Sequence, residues 1–133
     1  MDTGPLVAAA IEDDPDHERC AALFEETSEV LVVPQVVLAE AAYLVGKLAG
    51  PIAEVEFVRQ LADERIDLHA LDPEDLHRMA DLMETYADLH LGIVDAAVIA
   101  IAERLEITTI ATIDHRDFSV VRPRHVSHFE LLP

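Results

Sequence analysis

The sequence predicts an α/β protein with a mainly parallel sheet covered by helices on both faces. Three observations predict it. Short β-branched runs alternate with longer segments of helical periodicity, the order that parallel strands with helical crossovers require. Aspartates fall at the ends of two of the strand runs, where open parallel sheets place their sites. Finally, 133 residues of which 51% are apolar suffice for one domain, residues 1–133, with a real core.

Taken in order, Met1-Asp2-Thr3-Gly4-Pro5-Leu6 sets an acid and a threonine before a Gly-Pro pair. That pattern marks a strand end turning into a helix, with Pro5 at an early helical position. Only Met1 stands ahead of Asp2 to supply the strand. Leu6 to Ile11 reads as a short apolar helix, punctuated by Asp13-Asp14-Pro15. Asp16 to Glu26 is an amphipathic helix, and Cys20, Leu23, Phe24 and Thr27 keep helical spacing along it. The single cysteine is therefore expected as a buried core thiol.

Glu29 to Val33, ending at Pro34, suits a buried strand. A helix from about Gln35 to Leu48 carries Val37, Ala41, Leu44 and Leu48 on one stripe and stops at Gly50-Pro51. Another runs from about Ile52 to Glu64, and 66–71 alternates as a strand should. Asp72-Pro73-Glu74-Asp75 is a helix start with Asp72 as N-cap and acids in the first turn. Leu76, Met79, Ala80, Met83 and Ala87 form the stripe expected of that helix. After it come a helix around Asp95 ending near Arg104 and Leu105, a strand over 107–112, and a short strand near 129–132.

Charge narrows the function classes. The chain has 27 acidic residues against 9 Lys plus Arg, a formal net charge of −18. Such a field repels nucleic acid and attracts cations and basic protein segments. Nucleic-acid chemistry here needs metal ions and a few local basic residues. Arg116, between Asp114 and Asp117, is a candidate phosphate contact, whereas Lys47, Arg122 and Arg124 suit solvated or salt-bridging roles. No uncharged apolar run is long enough for a bilayer, and the start lacks the order of a signal peptide, so no membrane role and a cytoplasmic location are expected. The seven histidines show no zinc-ligand spacing.

Two carboxylates sit among apolar residues. Read as one helix, the segment from Leu91 to Ala102 puts Leu91, Gly92, Val98 and Ile99 around Asp95. Glu40 has Val36, Val37, Tyr43 and Leu44 at the same spacings. An ionised carboxylate there loses hydration unless it begins its helix or has a dedicated partner. Asp2 and Asp114 lie at strand ends. Convergence of the four would raise their pKa values and oppose folding, and a divalent cation reverses that penalty. All-oxygen ligation with retained waters is the preference of Mg²⁺ or Mn²⁺. Such an ion activates water and neutralises charge during in-line attack on a phosphoryl group.

Asp2-Thr3-Gly4, the run Pro34 to Glu40, Asp95-Ala96, and Thr112-Ile113-Asp114 with Asp117-Phe118 resemble the PIN domain, and more narrowly the VapC-type toxins of bacterial toxin–antitoxin pairs. The resemblance covers essentially the whole chain. It implies a three-layer α/β/α fold and a Mg²⁺- or Mn²⁺-dependent endoribonuclease. It also implies inhibition by a cognate VapB-type antitoxin, and a homodimer. On it, Asp2, Glu40, Asp95 and Asp114 match the family's acidic quartet. Asp2 and Asp95 are then the direct ligands, with Glu40 and Asp114 binding directly or through water. Thr112 would orient water or a carboxylate, Asp117 would add an acid, and Thr3 would hydrogen-bond Asp2 or serve the turn. Asp88 is expected on the surface or at a helix end.

Two departures stand out. Family members usually carry several apolar residues ahead of the first acid, so either this start is shortened or the chain begins upstream. Some relatives have an acid where Gly92 stands. Two alternatives compete: a PIN-like binding module that does not cut, and a haloacid-dehalogenase-type phosphatase. The latter needs a second Asp two residues after Asp2, where this chain has Gly4.

Overall fold

Among the described residues there are four short strands: β1 (Leu31–Pro34) and β3 (Thr109–Ala111) in β-branched runs, and β2 (Ile66–His69) and β4 (Glu130–Leu132) at the other two expected places. The structure is a computed structural model and describes residues 1–63 and 66–133, Asp63 by its backbone alone. The expected helix end at Glu64 lies outside the described residues. β1 pairs with β2 in parallel, Leu31 opposite Ile66, and β3 pairs with β4 in parallel, Thr109 opposite Glu130.

Met1 and Asp2 join these two halves. The Met1 nitrogen donates to Val32 O at 2.8 Å, and Asp2 N donates to Ala111 O at 2.9 Å. The pair thus takes the central place between β1 and β3 without forming a strand of its own. Outward from it the chain runs to β1 and β2 on one side, and to β3 and β4 on the other. The order reverses beside Asp2, the point at which parallel sheets open a crevice beyond their carboxyl ends.

Among the described residues, seven α-helices surround the strands: α1 (Thr3–Ala10), α2 (His17–Glu26), α3 (Gln35–Ala49), α4 (Pro51–Asp63), α5 (Pro73–Thr85), α6 (Ile93–Arg104) and α7 (His115–Val120). α1 packs on α2 and α3, and α3 on α4; α5 packs on α6, which reaches β1 and α3. Among the described residues, no helix is long and apolar enough to cross a membrane. α1 starts at Thr3, three residues earlier than expected, because Asp2 is its N-cap and accepts from Thr3 N. Cys20 is buried as expected.

Several expected stripes are displaced. On α3 the buried line is Val37, Ala41 and Val45, a strict four-residue step, and Leu48 is 65% exposed. Tyr43, expected beside Glu40 on an apolar face, is also exposed. On α5 the buried residues are Asp75, Met79 and Leu82, whereas Leu76, Ala80, Met83 and Ala87 face solvent. The reason lies in two ion pairs against α6. Arg104 Nε lies 3.0 Å from Asp75 Oδ1, and Arg78 Nε lies 2.7 Å from Glu103 Oε2. These turn the Asp75 side of α5 inward, a polar side that apolar periodicity overlooks. Asp75 also closes the capping box with Asp72 that the sequence announced. β2 does not alternate, because Asp67 and Leu68 both lie exposed at the sheet edge.

α6 is apolar on every side, and Ala96 through Ala102 are all buried. Phe118 fills the space beneath α7 and is 1% exposed. Phe118→Ala is expected to cost about 3–5 kcal/mol, read as a lower urea midpoint with an unchanged m-value.

Candidate functional site

The crevice beside Asp2 gathers most of the acids singled out in the sequence. Asp2 is buried, held from both sides of its carboxylate: Oδ1 accepts from Thr3 N at 2.6 Å and Oδ2 from the Thr112 hydroxyl at 2.8 Å. The Thr112 oxygen in turn accepts from Asp114 N at 3.1 Å. Thr112 is fully buried at the end of β3, so its one hydroxyl proton is committed to Asp2. Thr112 therefore orients a carboxylate, one of the two roles expected of it.

Thr3 hydrogen-bonds Asp2 as expected, and does something further. Its backbone, not its hydroxyl, serves Asp2, and its hydroxyl donates to Glu40 Oε2 at 2.6 Å. Residues 3 and 40 meet because α1 crosses α3. No local spacing announces this pair, so a reading of the sequence had no signal for it.

Asp95 is the third residue of α6, and Leu91 and Gly92 precede the helix instead of lining it. Its Oδ2 accepts from Gly92 N at 3.2 Å. Of the two alternatives open for Asp95, it begins its helix. A Cβ at Gly92 would come within 2.9 Å of that oxygen, so the small residue lets the carboxylate fold back on its own helix start. Asp114 is the N-cap of α7, its Oδ1 accepting from Arg116 N at 3.1 Å, and Asp117 lies half-buried one turn on. Asp88 sits exposed in a single 3-10 turn, as expected.

Electrostatics ties these groups together. Burial raises the Asp2 pKa; the hydrogen bonds from Thr112 and Thr3 oppose the rise, and Glu40 adds to it. Burial likewise pushes Asp95 up to about 6, with Asp2 the next cause and Asp117 and Asp114 adding smaller amounts. Asp2 thus feels Glu40, and Asp95 feels Asp2, Asp114 and Asp117. Among the described residues, no Lys or Arg side chain forms an ion pair with any of the five.

The donor set is all oxygen and anionic, which fits a hard divalent cation. The spacing is looser than ligation requires: among the described residues, no three acidic, His or Cys side chains already stand close enough to hold an ion. The chemistry of the donors therefore fits the ion, while their spacing in this structure is not a ligating one.

A sheet switch point at Asp2, flanked by carboxylates on α3 and α6 and at the start of α7, is the arrangement of a known class. The model of the PIN domain matches residues 1–122, and the chain belongs to that family. Among curated proteins it is similar to Ribonuclease VapC26 of Mycobacterium tuberculosis, 33% identical over 133 residues that cover all of this chain and 98% of the relative. This places it with the VapC-type members. Among solved structures it resembles Mycobacterium tuberculosis VapC20, described as a toxin that cleaves the sarcin-ricin loop. The TM-score is 0.85 and the identity 17%, with 99% of this chain and 97% of that one covered, a likeness of fold.

The raised Asp95 pKa has a sign that stability measurements check. Ionised Asp95 opposes folding, so the protein without divalent ions is expected to lose stability as pH rises from 3.8 to about 6. Asp95→Asn removes the charge and leaves an acceptor for Gly92 N. In EDTA, its urea midpoint should exceed the wild-type one above pH 6, and the gain should vanish near pH 4.

Proposed function

We propose that this protein is the toxin of a type II toxin–antitoxin pair, an endoribonuclease that hydrolyses RNA phosphodiester bonds with Mg²⁺ or Mn²⁺. The observation that carries the proposal is that burial and the charge of Asp2 both raise the Asp95 pKa, with no cationic side chain paired to either acid among the described residues. Structural carboxylates in such positions are ordinarily paired. The names of the two relatives, a ribonuclease and an RNA-cleaving toxin, support the same reading.

Asp2 and Asp95 would hold the ion, with Glu40 and Asp114 completing the shell directly or through water and Asp117 adding negative charge at its margin. When bound, the ion supplies an activated water and charge neutralisation at the phosphoryl group. Thr112 fixes the Asp2 carboxylate in one orientation. Thr3 does the same for Glu40, so that two acids are aimed before substrate arrives. Asp95 on α6 is disposed to accept a proton, since burial and the charge of Asp2 already favour its neutral form. Hydrolysis without a covalent intermediate is the simplest course. Gly4, inside α1, offers no second acid two residues after Asp2, against the phosphatase alternative.

The partners follow from the same reading. A basic antitoxin segment of the VapB type suits an acidic surface of formal charge −18, and a homodimer accords with the family.

Two measurements test the proposal. Mn²⁺ at a hundredfold over its Kd should stabilise the wild type by about 2.7 kcal/mol, with a much smaller rise in Tm for Asp95→Asn. Mn²⁺-loaded wild type should cleave a mixed-sequence RNA, and Asp95→Asn should slow cleavage about a hundredfold to a thousandfold. Protein that captures an antitoxin yet cuts no RNA with Mn²⁺ present would instead be the non-catalytic binding module.

A further inference from the structure

The cations of this chain are few, and among the described residues nearly all are spoken for. Arg19 pairs with Asp16, Arg59 with Glu56, Arg78 with Glu103, Arg104 with Asp75, and Arg124 with Asp81. Arg122 donates to three carbonyls around the end of α7, and the Lys47 ammonium lies 5.9 Å from the Tyr43 ring centroid. Arg116 differs. Among the described residues its guanidinium has no hydrogen-bond or ion-pair partner; only its backbone is engaged, with Asp114 and Ser119.

Its place matters as much as its freedom. Arg116 is exposed on the first turn of α7, between the N-cap Asp114 and Asp117, the two acids of α7 whose field reaches Asp95. An exposed arginine near such acids ordinarily folds onto one of them. The Asp114 Oδ1 oxygen, however, is taken by the Arg116 backbone N–H. What the side chain lacks within the protein is a bidentate oxyanion, and a phosphodiester supplies one.

We propose that Arg116 is a substrate-contact residue that binds a backbone phosphate of the RNA next to the carboxylate site. The inference rests on the ribonuclease reading above. It answers the repulsion problem posed by the charge balance: the protein carries an uncommitted cation where the polyanion must come closest. Because a phosphate is held and no base edge is read, the contact contributes affinity and register, with no preference among sequences.

The test compares wild type, Arg116→Ala, Arg116→Lys and Arg59→Ala, the last removing an equal charge from an exposed ion pair on α4. Two readouts are used on a fluorescent mixed-sequence single-stranded RNA: Mn²⁺-dependent cleavage kinetics, and anisotropy binding with Ca²⁺ in place of Mn²⁺. Arg116→Ala is expected to raise KM and Kd about tenfold with kcat nearly unchanged, and to lower the slope of log Kd against log salt by about one. Arg116→Lys should recover part of the loss, and Arg59→Ala should match wild type in both readouts. An Arg116→Ala protein with unaltered Kd and salt slope, or an Arg59→Ala protein equally impaired, overturns the assignment and leaves the nuclease reading standing. A wild type that neither binds nor cuts this RNA removes both.

Discussion

The structure depends on one costly placement, a carboxylate at the centre of a parallel sheet. Asp2 occupies the position at which the two strand pairs meet, and its backbone N–H is what joins it to β3. Burying an anion there costs several kcal/mol unless donors surround it. Thr112 and the start of α1 provide them, which is why α1 must begin directly at Thr3 and why a hydroxyl must end β3. The acids on α3 and α6 then add to an unfavourable field. The fold tolerates that field because the apolar core around α6, buried on every side, outweighs it.

The distribution of the remaining charge follows a similar logic. A chain at −18 has little positive charge to deploy, and two of its arginines are used where α5 meets α6. The Arg78–Glu103 and Arg104–Asp75 pairs fix the rotation of α5 against α6. Removing one partner from such a pair leaves a buried charge alone, so each pair specifies geometry more than it adds net stability. The acidic crevice is left without such pairs. Repulsion within it opposes folding, and the apolar core outweighs it.

Much of the fold was legible because its signals are local. Pro73 after Asp72 fixed the start of α5, the apolar run from Ala96 to Ala102 marked a core helix, and β-branched runs located β1 and β3 within a few residues. The helix stripes were less legible. On α5 the buried face includes Asp75, and no hydrophobic pattern assigns an acid to an interior face; on α3 the true line runs through Val45, with Leu44 only half-buried. Within the site, Asp2, Asp95 and Glu40 could be singled out from their surroundings. The partner of Thr3 could not, since its hydroxyl reaches Glu40 across 37 positions.

The sequence by itself determined the alternation of strands and helices, the helix starts, and which acids would be hard to accommodate. These follow from propensity, capping and desolvation, all of which act within a few residues of the chain. Only the tertiary structure decided that Met1 and Asp2 bridge two half-sheets, that Thr112 and Thr3 aim different carboxylates, and that Arg116 is left unpaired beside them. Each is a contact between distant segments, set by how whole helices cross and rotate, and the energy that fixes those crossings is spread over the core instead of written in any one stretch.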